Sequence, residues 1–229
     1  MDRLYVIIPA YNEQTNIMSV IDQWYPIVQT HGTDSRLVII DDGSKDATYA
    51  LAHKAAETRP KLITITKPNQ GHGATILRGY HLALEQEADF IFQTDSDQQT
   101  DPDEFEAFWD MRDEFDMVIG NRLDRGDGAS RTFVSHTLRQ VVKWKFNVWV
   151  EDANTPFRIM NAKALEDCIR FVPDGFNLAN VVLLAAFLNL GYSVHYLPIT
   201  FRAIGKKALD DFSYIDKKLD AEVARRQTL

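Results

Sequence analysis

Three short polar clusters hold the residues best suited to chemistry, and each directly follows an apolar run: Pro9-Ala10-Tyr11-Asn12-Glu13, Asp41-Asp42-Gly43-Ser44 and Asp95-Ser96-Asp97-Gln98-Gln99. Asp95 and Asp97 are one residue apart, so an extended backbone carries both carboxylates on one side, where a divalent cation relieves their repulsion. Hard oxygen donors of this kind suit magnesium or manganese, which keeps positions open for the phosphates of a substrate. A solvated acidic turn has the same composition, so the pair alone does not decide between the two. Asp41 and Asp42 either form a turn into a helix capped by Ser44 or Asp46, or accept hydrogen bonds from a ribose or a base. Tyr11 either closes its strand or packs against a base. Lys67-Pro68-Asn69-Gln70-Gly71-His72-Gly73 puts a cation and two glycines before a helix, as a phosphate-approaching loop or a flexible turn does, and its spacing matches no Walker A loop.

These clusters need a scaffold that brings them together. Apolar runs at Leu4–Ile8, Leu37–Ile40, Leu62–Thr66, Phe90–Thr94 and Met117–Ile119 alternate with amphipathic stretches at Asn16–Gln29, Asp46–Glu57, Gly73–Glu87 and Asp103–Glu114. Four βα units and a further strand follow from that alternation, which is the pattern of an α/β fold with a mostly parallel central sheet flanked by helices. Ligands of such sheets bind at the carboxyl ends of the strands, where all three clusters fall. Beyond Gly120, the stretch Asp124–Ser130 reads as a loop, Thr132–Val150 as a helix, Val181–Leu188 as part of a buried helix and Ser193–Phe201 as a late strand. The polar tail after Ala203 reads as helical or frayed.

The formal net charge of -8 argues against non-specific binding to nucleic acid. One cysteine, Cys168, rules out an intramolecular disulfide and a Cys-rich zinc site, and fits a reducing compartment. The start of the chain has no cationic segment leading into an apolar stretch, and the run Val181–Leu188 is far short of the ~20 residues that span a bilayer. A cytoplasmic protein, in peripheral contact with a membrane at most, is expected.

In their order along the chain, Ile8-Pro9-Ala10-Tyr11-Asn12-Glu13, Asp41-Asp42-Gly43-Ser44, Asn69-Gln70-Gly71-His72-Gly73-Ala74, Asp95-Ser96-Asp97-Gln98-Gln99 and Pro102 resemble the family 2 glycosyltransferases of the GT-A fold. The resemblance runs from about residue 4 to 207 and is greatest to the branch of dolichyl-phosphate and polyprenyl-phosphate sugar synthases. It implies a single GT-A domain over 1–229, with nucleotide and metal bound by residues up to about 120, the acceptor side shaped by 121–207, and a polar tail over 208–229. Pro9, Tyr11, Glu13, Asp41 and Asp42 would hold the nucleoside of a UDP- or GDP-linked sugar, and Asp95 would face the ribose or donor sugar. Asp97 and Gln99 would ligate Mg2+ or Mn2+. Arg122 would contact phosphate, Arg202 and Lys206 would close over the diphosphate, and Arg131 and Ser135 would face an acceptor phosphate. The stretch Asp152–Arg158 resembles the family's segment ending in Phe-Arg; alternatively, Arg158 pairs with a core carboxylate.

The sequence departs from the resemblance in one informative place: Phe176–Leu190 contains no Asp or Glu where many relatives carry an acid. A hydroxyl acceptor needs a base, whereas a phosphate monoester is already anionic at neutral pH. The departure favours a lipid-phosphate acceptor over a saccharide hydroxyl, unless Asp152 or Asp174 supplies the base. The chain also lacks the C-terminal membrane helices of some relatives, so any lipid contact would be peripheral, through the 124–139 region.

Overall fold

A computed structural model describes residues 2–122, 143–144, 148–152, 154–173 and 175–202. Seven strands form one sheet: β1 (Leu4–Ala10), β2 (Arg36–Asp41), β3 (Leu62–Thr66), β4 (Phe90–Gln93), β5 (Met117–Asn121), β6 (Arg158–Asn161) and β7 (Val194–Pro198), in the spatial order β3-β2-β1-β4-β6-β5-β7. All pairings are parallel except those of β6, which lies antiparallel between β4 and β5.

The described helices are α1 (Ile17–Thr30), α2 (Thr48–Ala56), α3 (His72–Glu85), α4 (Phe105–Asp110, led by a 3-10 turn at Pro102–Glu104), α5 (Ala162–Ile169) and α6 (Ala179–Asn189). Strand residues alternate between two cores. Leu4, Val6, Ile8 and Phe92 face α1, α2 and α4, while Tyr5, Ile7, Ile91 and Met160 face α3, α5 and α6. With both faces covered, β1 is buried along its whole length, which is why its sequence reads as an unbroken apolar run. Phe92 anchors the first core, with ring centroids 5.4 Å from Trp24, 5.0 Å from Phe105 and 4.8 Å from Phe157. Burial of such a ring stabilises the fold by roughly 2–3 kcal/mol.

The five strands expected up to Ile119 form within a few residues of their expected limits, as does β7. Pro9 is tolerated inside β1 because pairing with β4 has already ended at Ile7↔Gln93. Two elements were not anticipated, β6 and α5. The expected helix over 132–150 falls mostly outside the described residues; 143–144 are helical and 148–150 are not.

Candidate functional site

The loops after β1, β2 and β3 are stitched together at the carboxyl edge of the sheet. Asn12 donates its backbone N–H to Ser44 Oγ (2.9 Å), and its side-chain oxygen accepts the N–H of Lys45 (2.9 Å), an arrangement reached with Asn12 at φ 56. Asp41, 2% exposed, accepts Thr66 Oγ1 (2.8 Å) and the N–H of Ser44. Asp42, 4% exposed, accepts the N–H groups of Gln70 and Gly71 (2.9 Å each) and pairs with Lys67. The second acid therefore shapes the loop leading into α3. Gly43 has φ +70, and a Cβ there would stand 2.9 Å from Asn69 N, so only glycine lets the two loops meet. Glu13 lies in the turn before α1, its backbone carbonyl accepting the N–H groups of Asn16 (2.9 Å) and Ile17 (2.8 Å); its N–H donates to Thr48 Oγ1 (2.7 Å) and its carboxylate accepts Asn16 Nδ2 (2.7 Å). Tyr11 stands 42% exposed on this rim.

From the start of α3 the site continues to the loop after β4, where His72 Nε2 lies 3.0 Å from Asp95 Oδ1. Burial opposes the imidazolium, but Asp95, helped by Asp97 and Asp42, raises the His72 pKa overall. The backbone turns over Ser96–Asp97 and passes through Gln98 at φ 60, so the extended geometry expected for Asp95 and Asp97 is replaced by a tight turn. The two acids nevertheless act on each other. Burial first, then Asp95 and Glu13, pushes the Asp97 carboxyl up to about 7, against the N–H of Gln99 and His72. A cation placed beside such a carboxyl would bring its pKa back down. Among the described residues no three His, Cys, Asp or Glu side chains converge on one cation position, so protein donors there would be few and would have to be completed by a ligand.

Gln99 ties this turn to the end of β7. Its Nε2 donates to Arg202 O (3.0 Å), its own carbonyl accepts the Arg202 N–H (2.8 Å), and Thr100 bridges to Phe201. The Arg202 side chain pairs with Asp101. Arg122, at the end of β5, stacks its guanidinium 5.0 Å from the Phe201 ring and donates Nε and Nη2 to Asp152 at 2.7 and 2.8 Å. Gly120, on β5, makes room for Ile199 just past the neighbouring β7, since a Cβ would meet Ile199 Cδ1 at 2.6 Å.

The structure thus brings Pro9, Tyr11, Glu13, Asp41, Asp42, Asp95, Asp97, Gln99, Arg122 and Arg202 to strand ends on one edge. Lys206, Arg131, Ser135 and Asp174 lie outside the described residues. Asp152 is 5% exposed and engaged by Arg122, a poor position for the general base entertained from sequence. For Arg158, the alternative to the family-segment resemblance is a pair with a core carboxylate; its guanidinium donates to the backbone carbonyls of Thr155 and Asn180. Sequence reasoning did not single out His72 and Asp101. His72 stood within a recognised loop, but its link to Asp95 spans 23 positions.

The family described as Glycosyl transferase family 2 matches residues 5–171. The polyprenol monophosphomannose synthase of Mycolicibacterium smegmatis is 27% identical over 209 residues, which cover 87% of this chain and 77% of that protein. The undecaprenyl-phosphate 4-deoxy-4-formamido-L-arabinose transferase of Pseudomonas aeruginosa is 26% identical over 169 residues; these cover 72% of this chain and 49% of that protein, so the chain spans about half the length of this relative. Of solved structures, glucosyl-3-phosphoglycerate synthase from Mycobacterium tuberculosis in complex with Mn2+, UDP-glucose and phosphoglyceric acid matches with a TM-score of 0.73 at 20% identity, over 98% of this chain and 79% of that one. The fold is accordingly GT-A, as the motifs implied. Among the described residues no helix is long and apolar enough to cross a membrane.

Proposed function

Since this chain belongs to the family 2 glycosyl transferases, we propose that it transfers a sugar, with inversion, from a nucleoside diphosphate to the phosphate of a polyprenyl lipid. The observation that carries this reading is the meeting, at one sheet edge, of a crowded acidic turn at Asp95–Asp97 with two arginines from β5 and the end of β7. The names of two curated relatives, both polyprenyl-phosphate sugar transferases, support the acceptor. So does the chemistry of the acceptor side: α6 has no acid, and Asp152 is committed to Arg122.

In this reading Pro9, Tyr11, Glu13, Asp41 and Asp42 frame the nucleoside, while Asp95, steadied by His72, faces the ribose or donor sugar. Arg122 and Arg202 lie toward the diphosphate, with Lys206 joining them, and Arg131 and Ser135 hold the acceptor phosphate. Asp97 and Gln99 would hold Mg2+ or Mn2+, which when bound would offset the charge on the departing diphosphate. The acceptor oxygen forms its bond to the anomeric carbon on the face opposite the nucleoside diphosphate, whose bond to that carbon breaks. A phosphate monoester brings its own negative charge, so no base has to remove a proton. The arginines stabilise the charge that develops on the leaving group, and correct positioning supplies much of the remaining acceleration.

Incubation with UDP- and GDP-sugars, Mg2+ or Mn2+, and either a polyprenyl phosphate or an oligosaccharide tests this directly. Mass analysis should find a glycosylated lipid phosphate and released nucleoside diphosphate. Transfer to the oligosaccharide alone would contradict the acceptor assignment, donor binding without turnover the enzymatic one, and pyrophosphate release would point to nucleotidyl transfer.

A further inference from the structure

Among the described residues the largest fully buried side chain is Arg158, at 0% exposure on β6. It pairs across the sheet with Gln93 on one side and Ile119 on the other. Its Nε donates to Thr155 O at 3.0 Å, Nη2 donates to the same carbonyl, and Nη1 reaches Asn180 O at 3.2 Å. Burial pulls its pKa down, with Tyr80, Asp152, Tyr196 and Asp95 acting the other way. Among the described residues, the three buried side-chain atoms without a hydrogen-bond partner are Gln93 Nε2, Thr155 Oγ1 and Asn180 Oδ1, all on residues adjoining this guanidinium. An arrangement serving stability alone would be better met by an apolar side chain, because an enclosed cation is expensive to desolvate.

Its contacts indicate what the cation does. Thr155 lies three positions after Asp152, and Asn180 is in the first turn of α6. Asp152 in turn takes both Nε and Nη2 of Arg122 and also accepts the N–H of Asn154. A planar guanidinium with two donors on one carbonyl fixes a direction as well as a distance, which an ammonium cannot do.

We propose that Arg158 is a positioning residue for the phosphate-facing end of the site: it locks Thr155 against the start of α6, so that Asp152, three positions before Thr155, stands where it fixes Arg122. Its effect on donor binding rests on the function proposed above; the placement of Arg122 does not.

The test uses the whole chain and the variants Arg158→Lys, Arg158→Met and Asp152→Asn. The arginine Nε–H signal of Arg122, assigned by its loss in Arg122→Lys, is followed by NMR. It should exchange slowly with solvent in the parent chain and much faster in both Arg158 variants. Affinities for UDP and GDP are measured in the presence of Mn2+. Each single variant should lose on the order of tenfold in affinity, the loss expected when a charge-assisted hydrogen bond is misplaced. The double variant Arg158→Lys with Asp152→Asn should bind no worse than Asp152→Asn alone, because the two act in series. An unchanged Arg122 signal in folded Arg158→Lys, or additive losses in the double variant, would overturn the proposal. Should Arg158→Met fail to fold, Arg158→Lys decides, since it keeps the charge and loses only the fork. A parent chain that binds neither nucleotide would count against the donor reading, while the NMR signal would still decide the positioning.

Discussion

At Asp97 a stability cost meets the metal-holding role proposed above. Its pKa stands at about 7 in the folded chain, raised first by burial and then by Asp95, against about 3.9 for an unfolded aspartate. The contribution of its protonated form is intact below the unfolded value and is lost as pH rises to about 7, because the folded state then has to accommodate a charge it disfavours. In the metal-free protein Asp97→Asn should therefore melt higher than the parent at pH 8, by on the order of 2–5 °C, and by roughly a third of that at pH 5, where only part of the contribution has been lost. Mn2+ should raise the melting temperature of the parent at pH 8, and the same substitution should remove that rise. Thermal melts at the two pH values, with and without Mn2+, check both outcomes. A variant less stable at pH 8, or one that keeps the Mn2+ shift, would contradict the role given to Asp97.

The start of α3 is placed by packing. Gly73 lies against the segment that leads into α6, and a Cβ there would come within 1.9 Å of Phe176 O. Gly73→Ala must push α3 and the 176–177 segment apart, at a cost of roughly 1–3 kcal/mol, and carries His72 away from Asp95. Chemical denaturation should register the loss in stability, and a weaker rise in the His72 pKa by NMR should register the displacement. Unchanged values for both would mean that this contact does not set the helix. The strands before β5 were legible because each is an apolar run bounded by turn residues, and buried parallel strands leave that mark. Strand β6 was not, since Arg-Ile-Met-Asn has neither alternation nor length, and only pairing with β4 and β5 makes it a strand. Helix α5 spans just eight residues, too few for its periodicity to stand out. The acidic clusters of the site could be read because they follow strands directly. Their partners could not, because Arg122 finds Asp152 across 30 positions and Arg202 finds Asp101 across 101, distances that only the folded sheet closes.

Across the whole molecule the edge of the sheet works as one connected rim. Asn12 reaches Ser44, Asp42 holds the loop before α3, His72 meets Asp95, and Gln99 takes hold of Arg202, so five strand ends are joined by hydrogen bonds through neighbouring loops. Such a rim suits a ligand with several separate chemical parts: in the function proposed above, a base, a sugar and a diphosphate would each meet a different strand end. The metal and the diphosphate are where these parts must coincide. A crystal of the protein grown with Mn2+ and UDP or GDP, measured for the anomalous scattering of manganese, tests that coincidence most directly. The account predicts one manganese peak beside Asp97 and Gln99, with the diphosphate between it and Arg122. Manganese bound elsewhere, or a nucleotide lying away from this edge, would contradict it.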